Sequence, residues 1–471
     1  MRMMKKILSL IIVLILAAAA MPVGASAASA NFTVEDGVLL SYSGNAASIT
    51  IPSDVYQISP GVFEGNTSLK SVTLPSSVTE IGDKAFYQCT SLSEVKGGEN
   101  VYRVGAFCFD GTPYLSSSQD EFFTLGKTLL WYNGTASEVT LPGGICSVAP
   151  YAFLRCQTIR SFSASDDLSM IGEGAFFECT HLSLVSLPQS VKFIDAYAFS
   201  GTSYQAQAGE FVILGDGILT AYNGISDDIV IPNTVRMIAP RTFYEHTALK
   251  KVKLPASVYA VGKQAFCRCT ALSQLSLSPG LVHIGEEAFA DCKSLRTLSL
   301  PSSVSLVDKG AFLNCTGLGE LSLCGKELSV SYGAFAYCTS LKLVLMSSDV
   351  VSIYDKAFYG CRSLRAISVP DAVVRIPASA FGECPVFTLS ASDNSFAASS
   401  LSRIATLDAV KGDSDRDRYL TVLDATMIQK YMASLTTLSE EAKAASDTDL
   451  DGTISIMDAT RIQKILAHII G

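Results

Sequence analysis

Tryptophan occurs once and histidine four times in 471 residues. That scarcity argues against aromatic sugar platforms and against His-dependent triads built on His181, His246, His283 or His468. Basic charge is short as well: 35 Lys and Arg stand against 44 Asp and Glu, a net charge of −9. Nucleic acid and anionic membranes need basic patches, so neither is an expected partner. Long apolar runs are missing, apart from the uncharged stretch Ile7 to Ala20, which is shorter than the roughly 20 residues of a membrane span. It follows Arg2, Lys5 and Lys6 and precedes Ala25-Ser26-Ala27, the order of a secretory signal peptide over residues 1–27, with an uncleaved anchor as the other reading. The expectation is an exported, extracellular protein with no membrane span. Its length is too great for one compact core.

What the chain has in abundance is repetition. Leu74-Pro75 through Phe86, followed by Cys89 and Leu92, recurs at Leu254-Pro255 through Phe266 and Cys269, and again at Leu300-Pro301 through Phe312 and Cys315. The key phenylalanines read as Phe63, Phe86, Phe107, Phe153, Phe176, Phe199, Phe243, Phe266, Phe289, Phe312, Phe335, Phe358 and Phe381, with steps of 23 from Phe243 onward. The two wide gaps, Phe107 to Phe153 and Phe199 to Phe243, are 46 and 44 residues. A unit this short cannot bury its own apolar face, so the units must stack as a solenoid. Alternation in the run ending at Leu300 points Leu298 and Leu300 inward and Thr297 and Ser299 outward. Proline then stops the strand, because it has no donor for the next ladder bond. Three related phrases open three blocks: Asp36-Gly37 to Tyr42, Gly126-Lys127 to Tyr132 and Asp216-Gly217 to Tyr222. A D-G or G-K turn before a β-rich run reads as a hairpin-bearing variant repeat.

The A-F-x-x-C-x-x-L text resembles the leucine-rich repeat of BspA-type bacterial surface proteins, over residues 31–390. The resemblance implies short parallel strands in a leucine-rich repeat solenoid. Cys89, Cys156, Cys179, Cys269, Cys292, Cys315, Cys338, Cys361 and Cys384 share one position of the unit, where Asn66, Asp110, Thr202 and His246 also occur. A site that accepts cysteine, threonine or asparagine is a small, semi-buried one, and free thiols fit it better than disulfides or metal. Cys108, Cys146, Cys267 and Cys324 fall off this ladder and stay unassigned.

Past Phe387 the period stops, and the Ser- and Ala-rich residues 391–411 read as a linker. Residues 412–471 then hold two similar twelve-residue texts 34 apart, beginning at Asp413 and Asp447. A calcium loop takes oxygens from positions 1, 3, 5, 7, 9 and 12. Those positions are Asp413, Asp415, Asp417, Tyr419, Thr421 and Asp424 in the first loop, and Asp447, Asp449, Asp451, Thr453, Ser455 and Asp458 in the second. Two Ca2+ ions are expected, with folding of the module coupled to metal. Gly452 meets the turn requirement of the second loop, whereas Arg418 in the first costs on the order of 1 kcal/mol. Each loop feeds a helix with the shared text D-A-T-x-I-Q-K. This resembles type I dockerins of gut fibre-degrading bacteria, small all-α modules that plug into cohesins of a cellulosome scaffold. The resemblance places cohesin contacts at Val422, Leu423, Gln429 and Lys430, and at Ile456, Met457, Gln463 and Lys464, while Val422 and Ile456 also suit a core role.

Together these features imply a secreted, non-catalytic binding or adhesion protein, docked through calcium-dependent dockerin–cohesin pairing in a polysaccharide-degrading setting. A glycoside hydrolase-type enzyme and a protease inhibitor remain as alternatives. Outward strand positions are mainly Ser and Thr, with Lys251, Lys253, Leu343 and Leu345 as the exceptions and the best candidates for a contact patch with an unknown protein or glycan.

Overall fold

The unit around Phe312 shows how the 23-residue text folds. Thr297–Ser299 forms a strand with only Leu298 buried, and Pro301 closes it in a turn where the Val304 amide donates to the Pro301 carbonyl at 3.1 Å. The strand Leu306–Val307 follows on the other side of the coil, and Phe312 then enters the core fully buried. Each strand pairs in parallel with its copy one unit on, as in Thr297 with Glu320 and Glu320 with Leu343. Successive core phenylalanines stack with centroids 4.6 to 5.6 Å apart and planes within 2 to 14°. That spacing is close to the roughly 4.8 Å between neighbouring strands, so one ring fills each layer.

The computed structural model describes residues 31–391, 395–401, 405–408, 414, 422–439, 442–443, 446–448 and 453–470. The signal peptide read over residues 1–27 lies outside them. The chain divides into two compact units, Met1–Gln119 with Leu125–Lys127, and Asp120–Thr124 with Thr128–Gly471. In the first, the antiparallel hairpin Phe32–Glu35 and Val38–Tyr42 turns at Gly37 (φ 75°) and precedes coils built on Phe63, Phe86 and Phe109. It ends at helix α1, Pro113–Ser116, capped by Thr112. In the second, Tyr132 stands before coils on Phe153, Phe176 and Phe199, and helix α2, Ser203–Gln207, is capped by Thr202. The hairpin Phe211–Leu214 and Ile218–Tyr222 then opens the run from Phe243 to Phe381. Tyr42, Tyr132 and Tyr222 take the place of the missing phenylalanine, with centroids 5.3, 4.8 and 5.3 Å from Phe63, Phe153 and Phe243.

Phe107 is not a core residue. It is 40% exposed, and Phe109, 3% exposed, carries the stack on Phe86. Ala106-Phe107 imitates the repeat text but sits two residues early; Cys108 occupies the site of the small alanine, and the Phe86 amide donates to its carbonyl at 2.9 Å. Asp110 is therefore not on the cysteine ladder. Thr112 is, three residues after Phe109, as Thr202 is three after Phe199.

Residues two before and two after the core phenylalanine adopt left-handed backbone, as at Glu287 (φ 53°) and Asp291 (φ 59°). Left-handed geometry costs a non-glycine residue roughly 1–2 kcal/mol. It lets Glu287, Phe289 and Asp291 all donate their amides to the next coil, at 2.9, 2.7 and 2.8 Å. The glycine of the Ile-Gly text answers a different need. A Cβ on Gly262 would stand 2.7 Å from the Pro240 nitrogen of the preceding coil.

The ladder also runs beyond the boundary read from sequence. Phe387–Ser390 pairs with Ala366–Ser368, and Ala405–Asp408 adds a further parallel strand. The stretch 391–411, read as linker, thus holds helix α3, Phe396–Leu401, and that strand. A Ser- and Ala-rich composition hid both, because short residues also suit a strand whose partner is already in place. Helices α4, Val422–Met432, and α5, Ile456–Ile470, form the C-terminal module.

Candidate metal centre and partner surfaces

Ala425 and Ile428 of α4 meet Ala459 and Ile462 of α5 in a small core, joined by Ile454. The pairs are 34 residues apart, so the sequence duplication is a packing duplication. Asp424 and Asp458, both fully buried, lie in the first turns of the two helices, where the helix dipole favours a carboxylate. The Ser414 amide donates to Asp424 Oδ1 at 2.7 Å, and the Thr448 amide donates to Asp458 Oδ1 at the same distance. Position 2 of each loop is thereby tied to position 12. In the second loop the Ser455 amide donates to Asp458 Oδ2 at 2.8 Å, and Met457 N donates to Ser455 Oγ at 3.0 Å. Ser446 Oγ donates to Ser414 Oγ at 3.0 Å, linking the two loop entrances. The described members of the donor set offer oxygens, and the buried carboxylates of Asp424 and Asp458 suit a hard cation.

On the repeats, outward strand positions include many short polar residues, with hydrophobic exceptions among them. Leu343 and Leu345 are half-buried, while Leu184 is 66% and Val230 62% exposed. Lys251 is held by Asp228 at 3.2 Å, so one of the two predicted lysines is paired. Glu80 is buried against the Tyr102 hydroxyl at 3.1 Å and near Arg103 at 3.8 Å. Burial and this carboxylate push the Tyr102 phenol up to about 12. All thirteen cysteines are free. Ladder thiols donate to the carbonyl of the core phenylalanine one coil back, as Cys89 to Phe63 at 2.9 Å and Cys315 to Phe289 at 3.2 Å. Burial pushes Cys89 up to about 11, and Cys179, Cys269 and Cys338 up to about 12. These are donors within a wall.

The repeat units match the family described as BspA type leucine rich repeat region, in six copies, over residues 38–121, 124–207, 221–342 and 328–408. The chain belongs to this family. Residues 411–467 match the dockerin type I domain, a domain that binds calcium and implies a cohesin as partner. Among solved structures, a leucine-rich cell surface protein of Faecalibacterium prausnitzii is 24% identical, covering 83% of this chain and 100% of that one, with a TM-score of 0.27. A leucine-rich repeat protein of Eubacterium ventriosum is 19% identical over 76% of this chain and 93% of that one, with a TM-score of 0.35. The pneumococcal vaccine antigen PcpA is 17% identical over 82% and 98%, with a TM-score of 0.32. No curated protein matches the sequence.

Within the dockerin, Asp424, Asp447, Thr453, Ser455 and Asp458 are placed among the described residues. Asp413, Asp415, Asp417, Tyr419, Thr421, Asp449 and Asp451 lie outside them, as does Arg418. Of the partner-facing set, Ile456 is 54% and Met457 61% exposed, and Gln429, Lys430 and Gln463 are exposed as well. Val422 and Leu423 open α4 and Lys464 lies in α5; their side chains fall outside the described residues. The sequence reading missed one feature of α5: Arg461 donates to Glu320 on a repeat strand at 3.1 Å. No described helix is long and apolar enough to cross a membrane.

Proposed function

We propose that this protein is an exported, non-catalytic binding component, joined through its dockerin to a cohesin of an extracellular scaffold in a polysaccharide-degrading setting. The reading is carried by a duplicated contact with an apolar pair beside it: the position-2 amide donates to Asp424 and to Asp458 alike, and Ile456 and Met457 stand exposed beside the second. Exposed apolar pairs rimmed by polar residues suit a groove on a partner. Calcium would be held by the twelve named loop positions, supplying the positive charge that lets each loop's carboxylates gather. Asp424 and Asp458 would each anchor a helix to its loop.

The duplication supports binding in either of two orientations related by a pseudo-twofold axis. Val422/Leu423→Asp and Ile456/Met457→Asp, measured separately against a cohesin panel in calcium, test this. Each half-variant is expected to retain binding and their combination to lose it. Complete loss in both half-variants contradicts the dual mode. For the repeats, turnover of plant polysaccharide by the chain would contradict the non-catalytic reading.

A further inference from the structure

Lys342 and Arg365 hold the same place in consecutive coils. The Arg365 amide donates to the Lys342 carbonyl at 2.9 Å, and the adjoining Leu343 pairs with Ala366. Their backbones are thus about one strand spacing, roughly 4.8 Å, apart. Like charges stacked this closely repel. Elsewhere the protein avoids that cost by pairing cations across coils, as Lys250 with Asp227 at 2.7 Å, Lys263 with Glu286 at 2.7 Å and Arg268 with Glu245 at 2.6 Å. Neither Lys342 nor Arg365 forms an ion pair among the described residues, and both are exposed.

Both line an open cavity of about 430 Å3, together with Arg362, Ser363 and Thr388 and the exposed wall of Val386. Arg362 is occupied by Glu383 at 2.9 Å, which leaves two cations, Lys342 and Arg365, without a carboxylate partner among the described residues, on a chain of net charge −9. Glu383 also accepts from the Tyr359 hydroxyl at 2.5 Å. The apolar part of the lining is Leu364, Pro385 and Val386, of which Val386 is 70% exposed.

We infer that this cavity binds a uronate-bearing glycan. A sugar carboxylate would sit between Lys342 and Arg365, with ring hydroxyls on Ser363 and Thr388 and an apolar pyranose face against Val386 and Pro385. Charge gives the cavity its preference for an anion, and the paired hydroxyls beside an exposed apolar wall favour a sugar over an acidic peptide. This names a ligand for the repeats and rests on the binding-protein reading. It is measured with no cohesin present, so its failure leaves dockerin docking untouched.

The test is calorimetry on the full chain in calcium at low salt, with a galacturonate hexamer, a glucuronate-bearing hyaluronan oligosaccharide, a neutral galactan hexamer and poly-glutamate. At least one uronate is expected to bind, weakening as salt screens the charges, and which one binds assigns a plant or host source. Lys342→Gln with Arg365→Gln should cost about ten-fold in affinity, whereas Lys70→Gln with Arg160→Gln, an equal charge change at the same coil position, should leave it unchanged. Uronates binding no better than the neutral hexamer overturns the proposal, as does a double variant that binds like the parent. Poly-glutamate binding as tightly as the uronates overturns the sugar assignment.

Discussion

At the scale of single residues, the difference between Phe107 and Phe109 shows how burial and local text diverge. Phe109→Ala removes a ring stacked 5.2 Å from Phe86, and such core truncations cost about 3–5 kcal/mol. Phe107→Ala, at an exposed site, should stay within about 0.5 kcal/mol. Urea unfolding of the two variants separates these outcomes; equal losses would return Phe107 to the core. The 23-residue period was legible because phenylalanine is large and its spacing survives most substitutions. It misled at Ala106-Phe107 because two neighbouring phenylalanines satisfied the same short text, and only the alignment of amides with the next coil separates them. Cys108 became intelligible at once, as a substitute for the alanine of that coil. The thiols give a second prediction. A thiol whose folded pKa is raised stays protonated in the fold, while the unfolded chain loses that proton near pH 9. Stability is therefore fully present below about pH 9 and falls as pH rises toward the folded values of about 11 to 12 at Cys89, Cys179, Cys269 and Cys338. Melting temperatures at pH 8, 9 and 10 should decline across the last two, and iodoacetamide at pH 8 should spare these four thiols until the chain unfolds. A flat profile would contradict burial as the force that keeps these thiols protonated.

At the scale of elements, hairpin, three coils and a short capped helix recur as one larger block. Phe63, Phe153 and Phe243 are 90 residues apart, as are Tyr42, Tyr132 and Tyr222, and Thr112 and Thr202. The hairpin phrases were visible in the sequence, since D-G and G-K turns before β-rich text have few other readings. The tyrosine that replaces the phenylalanine was not visible, because its place depends on where the hairpin returns the chain. The threonine caps were hidden too: Thr202 occupies a position otherwise given to cysteine and has two bonds there, donating to the Phe199 carbonyl at 2.7 Å and accepting from the Gln205 amide at 3.1 Å. Thr202→Ala should cost about 1 kcal/mol, with Thr202→Ser recovering most of it. Thermal unfolding decides, and an Ala variant as stable as the parent would mean that the cap is idle. The late strand Ala405–Asp408 belongs to the same lesson, for composition alone reads as linker what pairing makes a rung.

At the scale of the whole molecule, the array and the dockerin answer to different conditions. Stacked repeats draw stability from neighbouring coils. The described dockerin core joins two alanines and two isoleucines between α4 and α5, and the carboxylates gathered in its loops repel one another unless a cation offsets them. A chelator should therefore lower the melting of the C-terminal module while leaving the array's transition where it is. A common shift of both transitions would contradict independent folding. The calcium positions are proposed from spacing, since acidic residues at 1, 3, 5 and 12 recur after 34 residues. The bonds from Ser414 and Thr448 were not legible there, because position 2 carries no chemical signature in the text. The central claim is that calcium assembles this module so that it can dock, and the most direct measurement is calcium calorimetry on the chelator-stripped full chain, beside Asp424→Ala and Asp458→Ala. The account predicts one ion per loop, loss of a different site in each variant, and a gain of helical signal on binding. No uptake by the parent, or uptake that neither substitution changes, would contradict it.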